Sequence, residues 1–199
     1  METVDLGGRG PNVPLVAQAR DYFLFAFYAA GIRFSDVASM KCSDVVLAER
    51  ADGAREALVS YTMGKTGKRI SVRTGQAAAD LARAYLVRAD GTAKKPDAYL
   101  FPIFDKYDIS TPERFVNASG SQNVLVNKQL KAVAKRVEAA GTVMPAKLTF
   151  HIACHTWADL ARKSGRDVYE ISRGLAHSGL GITERYLAKG GGDIVNGEI

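Results

Sequence analysis

Three short runs of the chain carry side chains suited to chemistry: Gly31-Ile-Arg33-Phe-Ser-Asp36, His151-Ile-Ala-Cys154-His155-Thr-Trp157, and Leu175-Ala-His177-Ser, with Tyr186 nine residues beyond His177. A guanidinium donates paired, charge-assisted hydrogen bonds to an anion, and an imidazole exchanges protons near neutrality. A tyrosine hydroxyl is a nucleophile once a positive site and a base help it below its ordinary pKa of about 10. Taken singly, these residues are ordinary: Tyr186 is one of eight tyrosines, and Arg33 is a candidate for a surface ion pair. His151, Cys154 and His155 fall at i, i+3 and i+4 of one helix face, a spacing able to face a metal ion. No fourth ligand is offered, however, and His155 is better read as a structural residue beside the site.

The elements that must position these groups are legible in outline. Gly7 to Pro11 reads as a flexible leader, and Leu15 to Ala30 as a buried helix rich in aromatic residues, ended by Gly31. Ser35 and Asp36 are placed to cap a short helix through Lys41, which puts Arg33 at a helix-to-helix corner. Val45 to Leu47, Ala57 to Tyr61 and Arg69 to Arg73 read as short strands. Lys65 then lies on the tight turn Gly64-Lys65-Thr66-Gly67-Lys68. Thr74 to Asp90 and Gln122 to Ala140 have helical spacing, with a mostly irregular stretch from Lys94 to Ser121 between them.

Thr149 is expected to cap a helix to Lys163, Gly165 to end it, and Val168 to Gly174 to form a short helix before a last one, Ile182 to Ala188, that carries Tyr186. Trp157, Leu160 and Ala161 read as core. The organisation is a leader over residues 1–13, one domain over 14–188 and a tail over 189–199. The fold class is α+β, mainly helical, with a small three-stranded antiparallel sheet.

Composition sets the wider bounds. A length of 199 residues with 47% hydrophobic content allows one domain with a real core. Lys and Arg number 27 against 21 Asp and Glu, a net charge of +6 that favours a polyanionic partner. Cys42 and Cys154 show no paired spacing, so no disulfide and a reducing cytoplasm are expected. No apolar run reaches membrane-spanning length, so no membrane partner is expected.

The three runs together resemble the tyrosine recombinases of the phage integrase family, whose signature blocks are His-x-x-Arg-His-Thr and a Leu-Gly-His-Ser run closed nine residues later by Tyr. The likeness extends from about Pro14 to Leu187. The wording around Arg33 and Trp157 resembles integrases of mobile elements in Bacteroides-type bacteria. The resemblance implies the recombinase catalytic-domain fold, duplex DNA as partner, self-assembly on DNA, and the function of DNA recombination and integration. It also implies that the family's core-binding domain is missing from the amino-terminal side, so that the domain alone binds weakly.

The resemblance further assigns roles. Arg33 and an arginine at 154 would bind the scissile phosphate, His151 and His177 flank it, Lys65 serves the leaving oxygen, and Tyr186 attacks. Transesterification of an anionic phosphodiester needs guanidinium groups where charge grows in the transition state, which explains those residue types. A phosphotyrosine bond conserves the energy of the cleaved linkage, so no cofactor is implied. Cys154 breaks the pattern, because a thiol has no permanent charge and is too short for a bidentate phosphate contact. Impaired cleavage with retained DNA affinity is therefore expected. The alternatives are a non-catalytic DNA-binding protein with the same fold and a type IB topoisomerase, against which the His151 and His177 blocks weigh.

Overall fold

The computed structural model describes residues 5–88, 90–144, 147–175 and 183–184. Helix α1 (Leu15–Tyr28) is the central rod, and its run of small and aromatic residues lets neighbours close on every side. Helix α2 (Phe34–Ser39) follows the corner and leads through a 3-10 turn at Cys42–Asp44 into a sheet ordered β1-β2-β3. Strands β1 (Val45–Glu49), β2 (Arg55–Thr62) and β3 (Arg69–Thr74) pair antiparallel, in register Val45 with Val59 and Val59 with Val72. Alternation along β2 buries Ala57, Val59 and Tyr61 and leaves Leu58 half out, as a one-sided sheet requires. Helix α3 (Gln76–Tyr85) packs on β2, and α1 packs on α3, α4 (Pro112–Ala139) and α5 (Ile152–Lys163). Helix α6 (Val168–Gly174) packs on α5.

Several boundaries differ from expectation for identifiable reasons. The expected Thr74–Asp90 helix is only α3, because Thr74 completes β3 and bonds Ala57 O, while Val87 turns back to bridge Ala93. Helix α4 begins ten residues before the expected Gln122, at Pro112, where Thr111 accepts from Arg114 N and proline fills the first helical position. The rest of the supposed loop is not idle: Leu100, Phe101, Ile103 and Phe104 are buried. Phe101 meets Tyr22, Phe25 and Tyr85 edge-on at centroid distances of 5.0, 5.1 and 4.8 Å. Leu160, expected in the core, is instead 49% exposed, whereas Trp157 packs against Cys154, Ala158, Ala161, Ile171 and Leu175.

The leader expected to be flexible is docked over its described residues. Leu6 is buried with Ala17, Val133 and Val137, and Gln18 Nε2 donates to Pro11 O and Val13 O. Arg20, buried on α1, reaches Gly8 O and pairs with Asp21, to which Tyr85 also donates its hydroxyl at 3.0 Å. Among the described residues no helix is long and apolar enough to cross a membrane.

Candidate active site

Arg33 is placed by a sharp corner. After α1 the backbone bonds Gly31 N and Ile32 N back to Ala26 O, with Ala30 and Gly31 both left-handed at φ 70° and 75°. Gly31 is required twice over, because a Cβ there would also lie 3.0 Å from the Cys154 α-carbon. The corner makes Arg33 the residue preceding α2, with φ −69° and ψ 154°. Ser35 and Asp36 do not cap this helix: no side-chain cap bond forms. Asp36 turns inward, and its Oδ1 accepts from Gly64 N at 2.9 Å, tying the Lys65 turn to α2.

That turn is closed by Met63 N to Lys68 O and Gly67 N to Met63 O. Arg33 Nη1 lies 3.2 Å from Met63 Sδ, so the guanidinium rests on the base of the turn while Lys65 is exposed at its tip. Burial raises the Asp36 carboxyl above its ordinary value, opposed by the Gly64 amide and then by Arg33. Tyr61, buried beneath, is likewise raised by burial, with Asp36 next among its causes.

The 150s segment closes the site from the other side. His151 precedes α5 and its ring meets that of His155 edge-on at 4.6 Å. Partial desolvation lowers the His151 pKa first, and the Arg33 charge lowers it further. His155 is lowered by burial and then by His151. Thr149 contributes its backbone, its carbonyl accepting from Ile152 N, rather than a side-chain cap. Cys154 is buried, and its Sγ donates to Gly31 O at 2.8 Å. It therefore turns into the seam between α5 and the corner, two residues from Arg33, and not outward beside His151. Among the described residues no group of three or more His, Cys, Asp or Glu side chains is arranged to hold a metal ion.

Arg33, the Lys65 turn, His151 and Cys154 thus converge from three distant segments. His177, Tyr186, the helix expected around Tyr186 apart from Thr183 and Glu184, and the tail lie outside the described residues. Sequence reasoning missed the tie made by Asp36. Its place three residues after Arg33 was visible, but only the fold reveals Gly64 as the partner.

Residues 13–190 match the sequence profile of the phage integrase family. The chain belongs to that family, the tyrosine recombinases. No curated protein matches the integrase-family chain. Its fold is similar to that of XerA recombinase, at 19% identity and a TM-score of 0.54 over 87% of this chain and 56% of that one. It is also similar to XerH site-specific recombinase bound to difH substrate in a pre-cleavage complex, at 16% identity and 0.52 over 88% and 45%. A post-cleavage complex of XerH with palindromic difH substrate gives 15% and 0.53 over 88% and 43%. The chain spans about half the length of these structures. The expected fold, mainly helical with a three-stranded antiparallel sheet, is that of tyrosine recombinase catalytic domains.

The two lowered histidines give a stability prediction. An unfolded imidazole titrates near 6.5, so in the fold the neutral form is favoured and the unfolded state binds more protons. The associated stability is full above about pH 6.5 and is lost as pH falls through the depressed folded values. The raised carboxyls of Asp21 and Asp36 act with the opposite sign, so the effect is isolated by comparison. Urea unfolding of the wild type and a His151→Gln, His155→Gln variant should show a stability difference that shifts against the wild type between pH 8 and 5. A difference that stays constant would refute the account in which partial desolvation and neighbouring charge favour the neutral imidazoles.

Proposed function

We propose that this chain is the catalytic domain of a site-specific DNA recombinase, or integrase, of a mobile element, acting in the cytoplasm on duplex DNA. In this reading the Tyr186 phenolate attacks the scissile phosphorus, the bond to the 5′ oxygen breaks, and a 3′-phosphotyrosine forms. Lys65 protonates the departing oxygen, and attack by a 5′ hydroxyl reverses the step on a new strand. Arg33 holds the nonbridging oxygens, and His151 and His177 flank them. Cys154 leaves half of the guanidinium pair absent, so the reaction is impaired. Partnership with an amino-terminal core-binding domain and self-assembly on DNA belong to the same proposal.

The observation that supports it is that Arg33 lies against Met63 at the base of the turn carrying Lys65 and that its charge also acts on His151, so that three distant segments bring cationic or proton-exchanging side chains to one side of the corner. The difH substrate bound by the site-specific recombinase XerH is in keeping with this choice of substrate. The inward thiol of Cys154 favours the second reading, a DNA-binding protein that keeps the fold without the reaction.

Binding to DNA should be sensitive to salt and nearly indifferent to sequence, since phosphate contacts dominate and release counterions. Titration of a labelled duplex at 50 and 200 mM salt should show affinity falling by roughly tenfold or more if two or three phosphates are contacted. Affinity independent of salt would count against both readings.

A further inference from the structure

Arg33 and His151 are each joined to a phenylalanine, and the two rings are packed together. Phe34 follows Arg33, Phe150 precedes His151, and their rings meet at 5.1 Å and 81°. Phe150 also meets Phe23 of α1 at 6.2 Å and is 2% exposed. A ring contact fixes a distance but not the roll of the backbone that carries it. The roll is set elsewhere: Asn127, in the middle of α4, accepts a 2.7 Å hydrogen bond from Phe150 N. Asn127 is itself oriented, its Nδ2 donating to Asn123 Oδ1 at 3.2 Å one turn earlier. Phe150 N precedes the first turn of α5, where no helical carbonyl is available to it, so a side-chain acceptor is the means of satisfying a buried amide.

We propose that Asn127 is a positioning residue of the recombinase site, a latch from α4 whose bond to the Phe150 amide sets the direction of His151 toward Arg33. The inference deepens the proposed function by adding a residue that acts through the backbone and touches no substrate. It predicts that loss of the latch leaves Phe150 in its pocket, because the aromatic contacts remain, while His151 swings away from the guanidinium. Among the described residues, Arg33 from the corner and His155 from α5 are ionisable groups that act on His151.

Two measurements test it, the first requiring no DNA. Proton NMR titration of the imidazoles compares the wild type with Asn127→Ala and with the milder Asn123→Ala, which removes only the orienting contact. The His151 midpoint should rise toward the ordinary value by about half a unit or more in Asn127→Ala and by less in Asn123→Ala, with His155, which His151 also lowers, rising by clearly less than His151. A rise of equal size at both histidines would mean general loosening and overturn the latch, as would an unchanged His151 in a folded variant. If Asn127→Ala does not fold, an unshifted His151 in Asn123→Ala overturns it. The second measurement is single-turnover cleavage by the Cys154→Arg chain. Asn127→Ala should slow cleavage about tenfold at unchanged DNA affinity, and Asn127→Asp, which keeps the acceptor, should restore most of the rate. Failure of the Cys154→Arg chain to cleave at all would strike the functional reading, while the imidazole midpoints would still decide for or against the latch.

Discussion

Replacing Cys154 with arginine should raise single-turnover cleavage of a nicked duplex by about 10²- to 10³-fold, the effect of restoring one oxyanion-type donor. That is a barrier change of roughly 3 to 4 kcal/mol. The thiol is a weak donor, and it is directed at Gly31 O, 2.8 Å away inside the molecule. An arginine cannot stay in that seam, since the corner lies against the Cys154 α-carbon and Trp157, Ala158 and Leu175 close the other side. Its stem can lie along this apolar wall while the charged head extends past the corner into solvent, on the route toward Arg33. There it would present two hydrogen bonds and a permanent charge to the phosphate that the proposed reaction assigns to Arg33. In the same background Tyr186→Phe should abolish the denaturation-resistant DNA adduct, which requires the phenolic oxygen. Equal rates from Cys and Arg would show that position 154 does not reach the phosphate.

Phe101→Ala should cost about 3 to 5 kcal/mol of folding stability. The ring is 0% exposed and is the hub of the aromatic cluster, meeting Tyr22, Phe25 and Tyr85. Truncation removes the transfer free energy of the ring and leaves a cavity whose walls, α1 and α3, are rigid helices unable to collapse into it. A domain of this size has about 5 to 15 kcal/mol in total, so the variant should unfold at markedly lower urea with an unchanged slope. Leu160→Ala, on the exposed face of α5, should cost no more than about 0.5 kcal/mol. A loss below about 1 kcal/mol in Phe101→Ala would show that the connecting segment is not part of the core.

These two positions mark where local reading stops. Tyr22 and Phe25 are recognisable as core because they lie in a continuous apolar helix, a pattern written in neighbouring residues. Phe101 sits between prolines, aspartates and lysines, with no period to expose it, and it is buried because the chain returns across α1. Leu160 has the hydrophobicity of a core residue, but the face of α5 that α1 and α6 cover excludes it. The start of α4 is legible in principle, through Thr111, Pro112 and Glu113. The polar run from Asn117 to Asn123 masks it, since serine, asparagine and glycine favour turns when no tertiary contact decides.

The sequence by itself determined the family, offered a set of candidate side chains, and marked the hairpin that carries Lys65 and the corner that carries Arg33. Each is encoded in residues a few positions apart, where capping, turn chemistry and periodicity act. Only the tertiary structure decided how that set is held. Asp36 bonds Gly64 across 28 positions, Asn127 bonds Phe150 across 23, and Cys154 bonds Gly31 across 123. A buried hydrogen-bonding group takes whichever partner the packed helices bring to it, because leaving it unpaired costs more than the choice among partners. The partner is therefore a property of the topology, and no local pattern around Asp36, Asn127 or Cys154 names it.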